Sequence, residues 1–499
     1  MVVDPRQRTG CHHGGRDRER KRDARSPVGA RATRCAQTPP LGGMLFAKNV
    51  ISRSAKVQAL TELGYFISSY SERALPGATR QTISLLILDL IGATAAGLQS
   101  PLADAARKAA LEAYGEGSIR IWLTDQHSGV VGAAMANSAA ASALDIDDGH
   151  RNAGGHAGAG VIPAALAVAQ AVGASASETA VAIALGYEIA LRVASSRPVE
   201  TIDTYASGRW VSYGAAAAAC RLLDLSATET AHALAIAGSE GPIVFLTASS
   251  KFGGSTIKEG IPPAVVAGVT AAYRARAAAT GPLDLLDDQN RFTRQLLTGN
   301  FGSSWEVERC YLKPYACCRY IHAAIDAILA MRRDGQEIRT LHIETFPQAM
   351  RLANERAPST LEGGQYSFYF SCAVAALYGR EALQPMQMER LADARVLELA
   401  ARIELEPSPV FASAFPVRTP ARVVMDQGDG PEERIVLHPL GDVANPLSTD
   451  QITEKFKNIA RKSLHPQWQD EILSAIAGLD TAGFVPLMAA LSQLEKPKR

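Results

Sequence analysis

The chain has 499 residues, with 51 lysines and arginines against 50 aspartates and glutamates, a formal net charge of +1 and a charged fraction of 20%. Such a balance gives the folded body no field to steer it toward nucleic acid or an anionic membrane, so a small ligand is the default partner. Seven cysteines without paired CxxC spacing, and without histidines at zinc-ligand distance, argue against a zinc module and for a reduced, cytoplasmic chain.

Residues 1–43 are rich in Arg, Gly and Pro and carry no apolar period, which predicts a disordered N-terminal extension with Met44 as the functional start. Residues 44–305 read as the first part of a helical domain. QTISLLILDLIGATAAGL and SETAVAIALGYEIALRVASS repeat apolar residues at helical spacing and are apolar nearly all round, as helices buried against other helices are. No run reaches the eighteen uncharged apolar residues of a membrane span. Residues 306–445 change texture. Period-two stretches in RTLHIETF, LELAARIELEP, ARVVMDQ and ERIVLHP alternate with the helices IHAAIDAILAMRR and FSCAVAALYG, predicting an α+β lid. Residues 446–499, from TDQITEKFKNIARKSL onward, return to helix. The expected fold is mainly α: a large helical domain built from both chain ends, an inserted smaller α+β lid domain, and a cleft between them.

Between the first helices lies ALDIDDGHRNAGGHAGAG, residues 143–160, which gathers Asp145, Asp147, Asp148, His150 and His156 among glycines. A calcium loop fails, because Gly149 takes the third acidic position and His156 the place of the bidentate glutamate. A transition-metal site of His150, His156 and one aspartate is chemically conceivable but lacks a recognised spacing. Acid–base catalysis suits carboxylates beside imidazoles, whose pKa values displace one another. A solvated, capped turn is the alternative.

DIDDGH, GHAGAGVIPAALAVAQ, GYEIALR, GSTIKEGIPPAVVAG and YLKPYACCRYIHAAIDAI, in that order, resemble the MmgE/PrpD family, which includes 2-methylcitrate dehydratase, cis-aconitate decarboxylase and iminodisuccinate epimerase. The resemblance implies the same two-part architecture, a homodimer and no metal. It places Asp145, His150 and His156 as catalytic residues, with a proton-transferring imidazole at His156 oriented by Asp145, and Asp147 and Asp148 capping the loop. It adds Lys258 as a catalytic lysine beside the helix start marked by Pro262 and Pro263, and Lys313, Arg319 and His322 as substrate-binding residues of LKPYACCRYIH.

Arg319 suits bidentate contact with a carboxylate and Lys313 offers a compact charge, so the expected substrate is a small polycarboxylate. The adjacent Cys317 and Cys318 supply an iron–sulfur cluster poorly and read as buried fillers. Three positions depart from the family pattern: Trp210 stands where a histidine is common, Gly149 where a hydroxyl residue is, and Ser142 where a histidine often precedes the first aspartate. Arg209, beside Trp210, is expected to add a carboxylate contact. The inventory meets the demands of proton transfer beside a carboxylate without a cofactor, and the resemblance implies a metal-independent lyase of the 2-methylcitrate dehydratase type. A decarboxylase of a cis-aconitate-like acid and an epimerase of an imino or amino dicarboxylate are the alternatives within this chemistry. A non-catalytic dimeric ligand-binding protein is the alternative outside it, with Trp210 in its favour.

Overall fold

Small residues let the first helices meet backbone to backbone. In the computed structural model, which describes residues 57–198, 206–242 and 258–492, the helices Ala176–Ser195 and Gly208–Leu222 cross at Gly186 and Gly214. A Cβ on Gly186 would lie 2.9 Å from the Gly214 carbonyl oxygen, and one on Gly214 would lie 2.6 Å from that of Gly186, so no larger residue fits the crossing. Alanines lining Gly208–Leu222 and Ile261–Arg276 continue this close packing. Ser175 with Glu178, and Ser226 with Glu229, close capping boxes that start the helices Ala176–Ser195 and Ala227–Glu240. The expected N-terminal extension and the start at Met44 lie outside the described residues, as do Gly254 to Ile257 of the GSTIKEGIPP motif.

The described residues are mainly helical, with two two-stranded sheets and one of four strands among them. The larger sheet runs in the order Glu404–Pro407, Thr340–Thr345, Ala421–Asp426, Pro431–Val436; its first pair is parallel and the others antiparallel. Alternation sends Leu341, Ile343 and Thr345, with Ala421, Val423 and Met425, to one buried face. The helices His322–Met331 and Phe368–Tyr378 join that core.

One expected strand is mostly helix. Within LELAARIELEP, only Glu404–Pro407 is extended; the preceding residues belong to the helix Ala394–Arg402. Val396, Leu399 and Ala400 bury at helical spacing, and Asp393 caps the start by accepting from the Arg395 amide. The single alternation of Leu and Glu there gave a false period of two.

Three hydrophobic cores organise the described chain, one of them a smaller cluster from Ala110 to Ala275, and the other two bear on the acidic loop. The first joins residues from Ala59 to Val307 with residues from Ile452 to Leu491, and the helix Thr449–Ala460 packs on Gly77–Gly97. The second runs from Tyr315 to Met425 and takes in Ala93, Leu144, Ile146 and Ile459. Leu144 and Ile146 therefore anchor the acidic loop in the second core, while Asp145 and Asp147, which alternate with them, face the polar groups described below. The strand pair Gly149–His150 with Cys310–Tyr311 ties the loop to the start of the second part. No single described helix is long and apolar enough to cross a membrane.

Candidate active site

Asp145 is the centre of the site. It is fully buried and holds φ at 53°, a left-handed conformation that aspartate tolerates better than most residues. Lys258 donates to its Oδ1 at 2.5 Å, and the Lys313 ammonium lies 3.1 Å from its Oδ2. His156 Nε2 sits 3.4 Å from Oδ1. Burial would raise the Asp145 carboxyl, but Lys258 and Lys313 outweigh it and hold the group far below the usual carboxylate range. Burial would likewise lower the Lys258 ammonium, and Asp145 and Glu259 raise it instead. Lys258 is therefore a fixed cation and Asp145 a fixed anion.

His156 has an assigned tautomer. Its Nδ1 lies 2.7 Å from the carbonyl oxygen of Asp148, which can only accept, so Nδ1 keeps its proton in every charge state. Nε2, facing Asp145, is the nitrogen that gains and loses one. Burial lowers the imidazolium, but Asp147, with Oδ2 3.3 Å from Nδ1, outweighs that and raises it above the ordinary 6.5. The main-chain amide of His156 donates to Ser207 Oγ at 2.9 Å, which places the ring.

The segment carrying Lys258 is strained. Lys258, Glu259 and Gly260 all have positive φ, at 36°, 54° and 72°, immediately before the helix Ile261–Arg276 with its early prolines. Consecutive left-handed non-glycine residues are unfavourable and persist where surrounding contacts over-determine them. Those contacts run through Glu259, which accepts from Ser207 Oγ at 2.8 Å and from the Tyr366 hydroxyl at 2.7 Å, while Tyr366 accepts from Lys258 at 2.9 Å. The first residue of Gly208–Leu222 also presses on this turn: a Cβ at Gly208 would lie 2.6 Å from the Gly260 carbonyl oxygen.

The two loop aspartates expected as caps divide their roles. Asp148 Oδ1 accepts from the Gly158 amide at the start of Gly158–Val172, and burial with the Asp147 charge pushes the Asp148 carboxyl up to about 7. Asp147 instead faces His156. Beneath the loop, Lys455 of the C-terminal helix donates to Asp89 at 2.5 Å and to the Ile146 carbonyl at 2.8 Å, all in the interior.

The remaining sequence candidates are placed differently. His150 turns away to Glu306, with Nε2 3.2 Å from its carboxylate and Nδ1 accepting from the Ala153 amide at 3.3 Å. Arg319 donates to the carbonyls of Leu440 at 2.9 Å and Pro439 at 3.1 Å, pairs with Asp442 at 3.4 Å and stacks on Tyr311. It fastens the 439–442 loop rather than presenting an open fork. His322 Nδ1 lies 3.1 Å from Arg319 and Nε2 3.1 Å from the Cys317 carbonyl; burial and Arg319 push it well below its ordinary pKa, so it is a neutral ring. Arg209 is partly exposed at the start of Gly208–Leu222. Cys317 and Cys318 are buried or nearly so, and burial raises both thiols, in keeping with unreactive fillers.

Asp145, Asp147 and His156 offer donor atoms within 4.8 Å of one another. A divalent cation among them would sit against the Lys258 and Lys313 ammoniums, so this donor set fits a metal poorly.

Models of the MmgE/PrpD N-terminal and C-terminal domains match residues 61–303 and 315–481. The chain belongs to the MmgE/PrpD family. It is 24% identical over 475 residues to a cis-aconitate decarboxylase of Aspergillus terreus, covering 87% of this chain and 95% of that protein. It is also 24% identical over 475 residues to a cis-aconitate decarboxylase-like protein of Aspergillus oryzae, covering 86% and 96%.

Against this MmgE/PrpD background the three departures have local reasons. A side chain at Gly149 would collide with the Tyr311 ring, so a hydroxyl residue does not fit beside this tyrosine. Ser142 returns its hydroxyl to the Ser138 carbonyl at 2.9 Å, inside its own helix. Trp210 is buried beside Gly155, with its Nε1 lacking a hydrogen-bond partner. An indole there shapes the wall next to His156 but transfers no proton.

Proposed function

We propose that the chain is a lyase that moves protons on a small polycarboxylate, with elimination of water of the 2-methylcitrate dehydratase type as the leading reaction. The observation that carries this reading is the convergence of two ammonium groups and His156 Nε2 on one buried carboxylate. Breaking a carbon–hydrogen bond next to a carboxylate builds enolate-like negative charge, which fixed cations in a water-poor site stabilise strongly. Lys258 and Lys313 supply those cations, His156 Nε2 carries the proton, and Asp145 holds the three in register. In elimination the C–H electron pair becomes the alkene as the C–O bond breaks, and the departing oxygen takes up a proton. His156 accepts the carbon-bound proton at Nε2 as a neutral ring, Asp147 favours the imidazolium so formed, and that imidazolium returns the proton to the departing oxygen, so the ring ends in the state in which it began.

Decarboxylation is the second reading, favoured by the named activity of the Aspergillus relatives. It calls on the same cations to hold the carbanion-like charge left by departing carbon dioxide, and on the same imidazolium to protonate carbon. A His156→Gln variant tests both. Turnover should fall by about a hundredfold or more, the usual scale for a lost general acid–base, with the thermal midpoint little changed. Undiminished turnover in a folded variant would refute the role of His156.

A further inference from the structure

The Lys258 side of the site carries more acid than proton transfer requires. Glu362 and Gln365 lie in the short helix Leu361–Gln365, and Tyr366 is the next residue. Residues three and four apart on a helix share a face, so these three line one side, and on that side the Tyr366 hydroxyl touches both Lys258 and Glu259. Among the described residues, Glu362 Oε1 and both polar atoms of the Gln365 amide are buried without a hydrogen-bond partner, and Gln365 is fully enclosed. Buried polar atoms are nearly always paired, so three orphans on one face mark where a ligand completes the set. Burial, then Glu259 and Asp145 acting against Lys258, push the Glu362 carboxyl up to about 7. Across the site, the buried Lys313 ammonium forms an ion pair with Asp145 at 3.1 Å but no hydrogen bond among the described residues.

We propose that the substrate sets a carboxylate on Lys313 and a hydrogen-bond donor, hydroxyl or ammonium, against Glu362 and Gln365, so that the preferred substrate is a hydroxy- or amino-substituted acid with at most two carboxylates. The inference rests on the reading of this site as the acid–base centre and narrows its substrate class. Asp145 offsets one of the two ammonium charges, and Glu259 and Glu362 lie on the Lys258 side, so the uncompensated positive charge is at Lys313. Above about pH 7, where Glu362 is ionised, a third carboxylate arriving beside Lys258 would meet it as a like charge in a low-dielectric setting. An acid with neither hydroxyl nor amine would leave Glu362 and Gln365 unpaired, which polar sites reject strongly.

Calorimetric titration of the full chain at about pH 8, where Glu362 is ionised, with malate, aspartate, succinate and tricarballylate tests this. Malate or aspartate should bind at least about tenfold more tightly than succinate and tricarballylate, and which of the two binds distinguishes hydroxyl from ammonium. Glu362→Gln should strengthen tricarballylate by about tenfold and erode the preference for the donor-bearing acid. Glu362→Asp keeps the charge but retracts it, so it should weaken the donor-bearing acid while tricarballylate stays weak; it decides the matter if the glutamine variant does not fold. Tightest binding of tricarballylate by the unaltered chain, no binding of either donor-bearing acid, or an unchanged ranking in the folded variants would overturn the proposal. An unchanged ranking together with lost turnover in His156→Gln would remove only this inference. A shifted ranking with full turnover in His156→Gln would remove only the catalytic reading.

Discussion

Asp145 stabilises the site as well as shaping it. It is the common partner of Lys258 and Lys313, two ammoniums in the interior, and removing one member of a buried ion cluster strands the others. Asn keeps the size and tolerates the left-handed backbone, so Asp145→Asn isolates the charge; we expect a loss of about 3–5 kcal/mol in urea unfolding. A loss under about 1 kcal/mol would show that the lysines are satisfied elsewhere. The loop carboxylates also give stability opposite pH dependences. Asp145 and Asp147 have depressed pKa values in the fold, so their contribution is present above the unfolded value and is lost as pH falls through the acid range. Asp148 is raised to about 7 from the ordinary 3.8, so the folded chain binds a proton that the unfolded chain has released, and stability falls as pH rises between those values. Asp148→Asn keeps an oxygen for the Gly158 amide and removes the titration. Unfolding free energy measured from pH 4 to pH 8 should decline less steeply in this variant than in the unaltered chain, and an equal slope would contradict the assignment.

At the scale of elements, two segments far apart in sequence fix the geometry of one loop. The helix Thr449–Ala460 sends Lys455 under the loop to Asp89 and the Ile146 carbonyl, and the turn before Ile261–Arg276 sends in Lys258. Lys455→Met should destabilise by about 3–5 kcal/mol, because Asp89 is left buried and unpaired; adding Asp89→Leu should recover much of the loss, since an apolar pair of similar volume often replaces a buried ion pair without penalty. Failure of the second substitution to recover stability would place the defect in the Ile146 carbonyl contact instead.

This dependence on distant partners explains what the sequence disclosed. Asp145, His156, Lys258 and Lys313 were legible from motif order and come together, and the helical texture announced most helices. Arg319 and His322 were legible as polar residues of the right motif, yet their partners are the 439–442 loop and the Cys317 carbonyl, which no local pattern announces. Glu259 stood next to Lys258 without a signal of its own, because its value lies in Ser207 and Tyr366, 52 and 107 residues away. Tyr366, Glu362 and Lys455 gave no signal for the same reason. The LELAAR helix was misread because its single alternation of Leu and Glu fits both periods until burial at helical spacing decides between them.

At the scale of the whole molecule, the acidic loop sits where two cores meet, with Leu144 and Ile146 held by one and its aspartates facing cations supplied from both sides of the chain's change of texture. Such a buried, charge-balanced centre stabilises developing charge well, and it also requires an opening motion for a substrate to enter. The account's central claim is that this centre transfers protons at carbon on a carboxylic acid. The most direct test is incubation of the chain in deuterated water with citrate, 2-methylcitrate, cis-aconitate, malate and aspartate, followed by proton NMR. The account predicts solvent deuterium at a carbon next to a carboxylate, accompanied by a new alkene for elimination or by loss of a carboxylate for decarboxylation, and no such signal with His156→Gln. Tight binding of an acid on this panel with no exchange and no product would contradict it and leave a binding protein in its place.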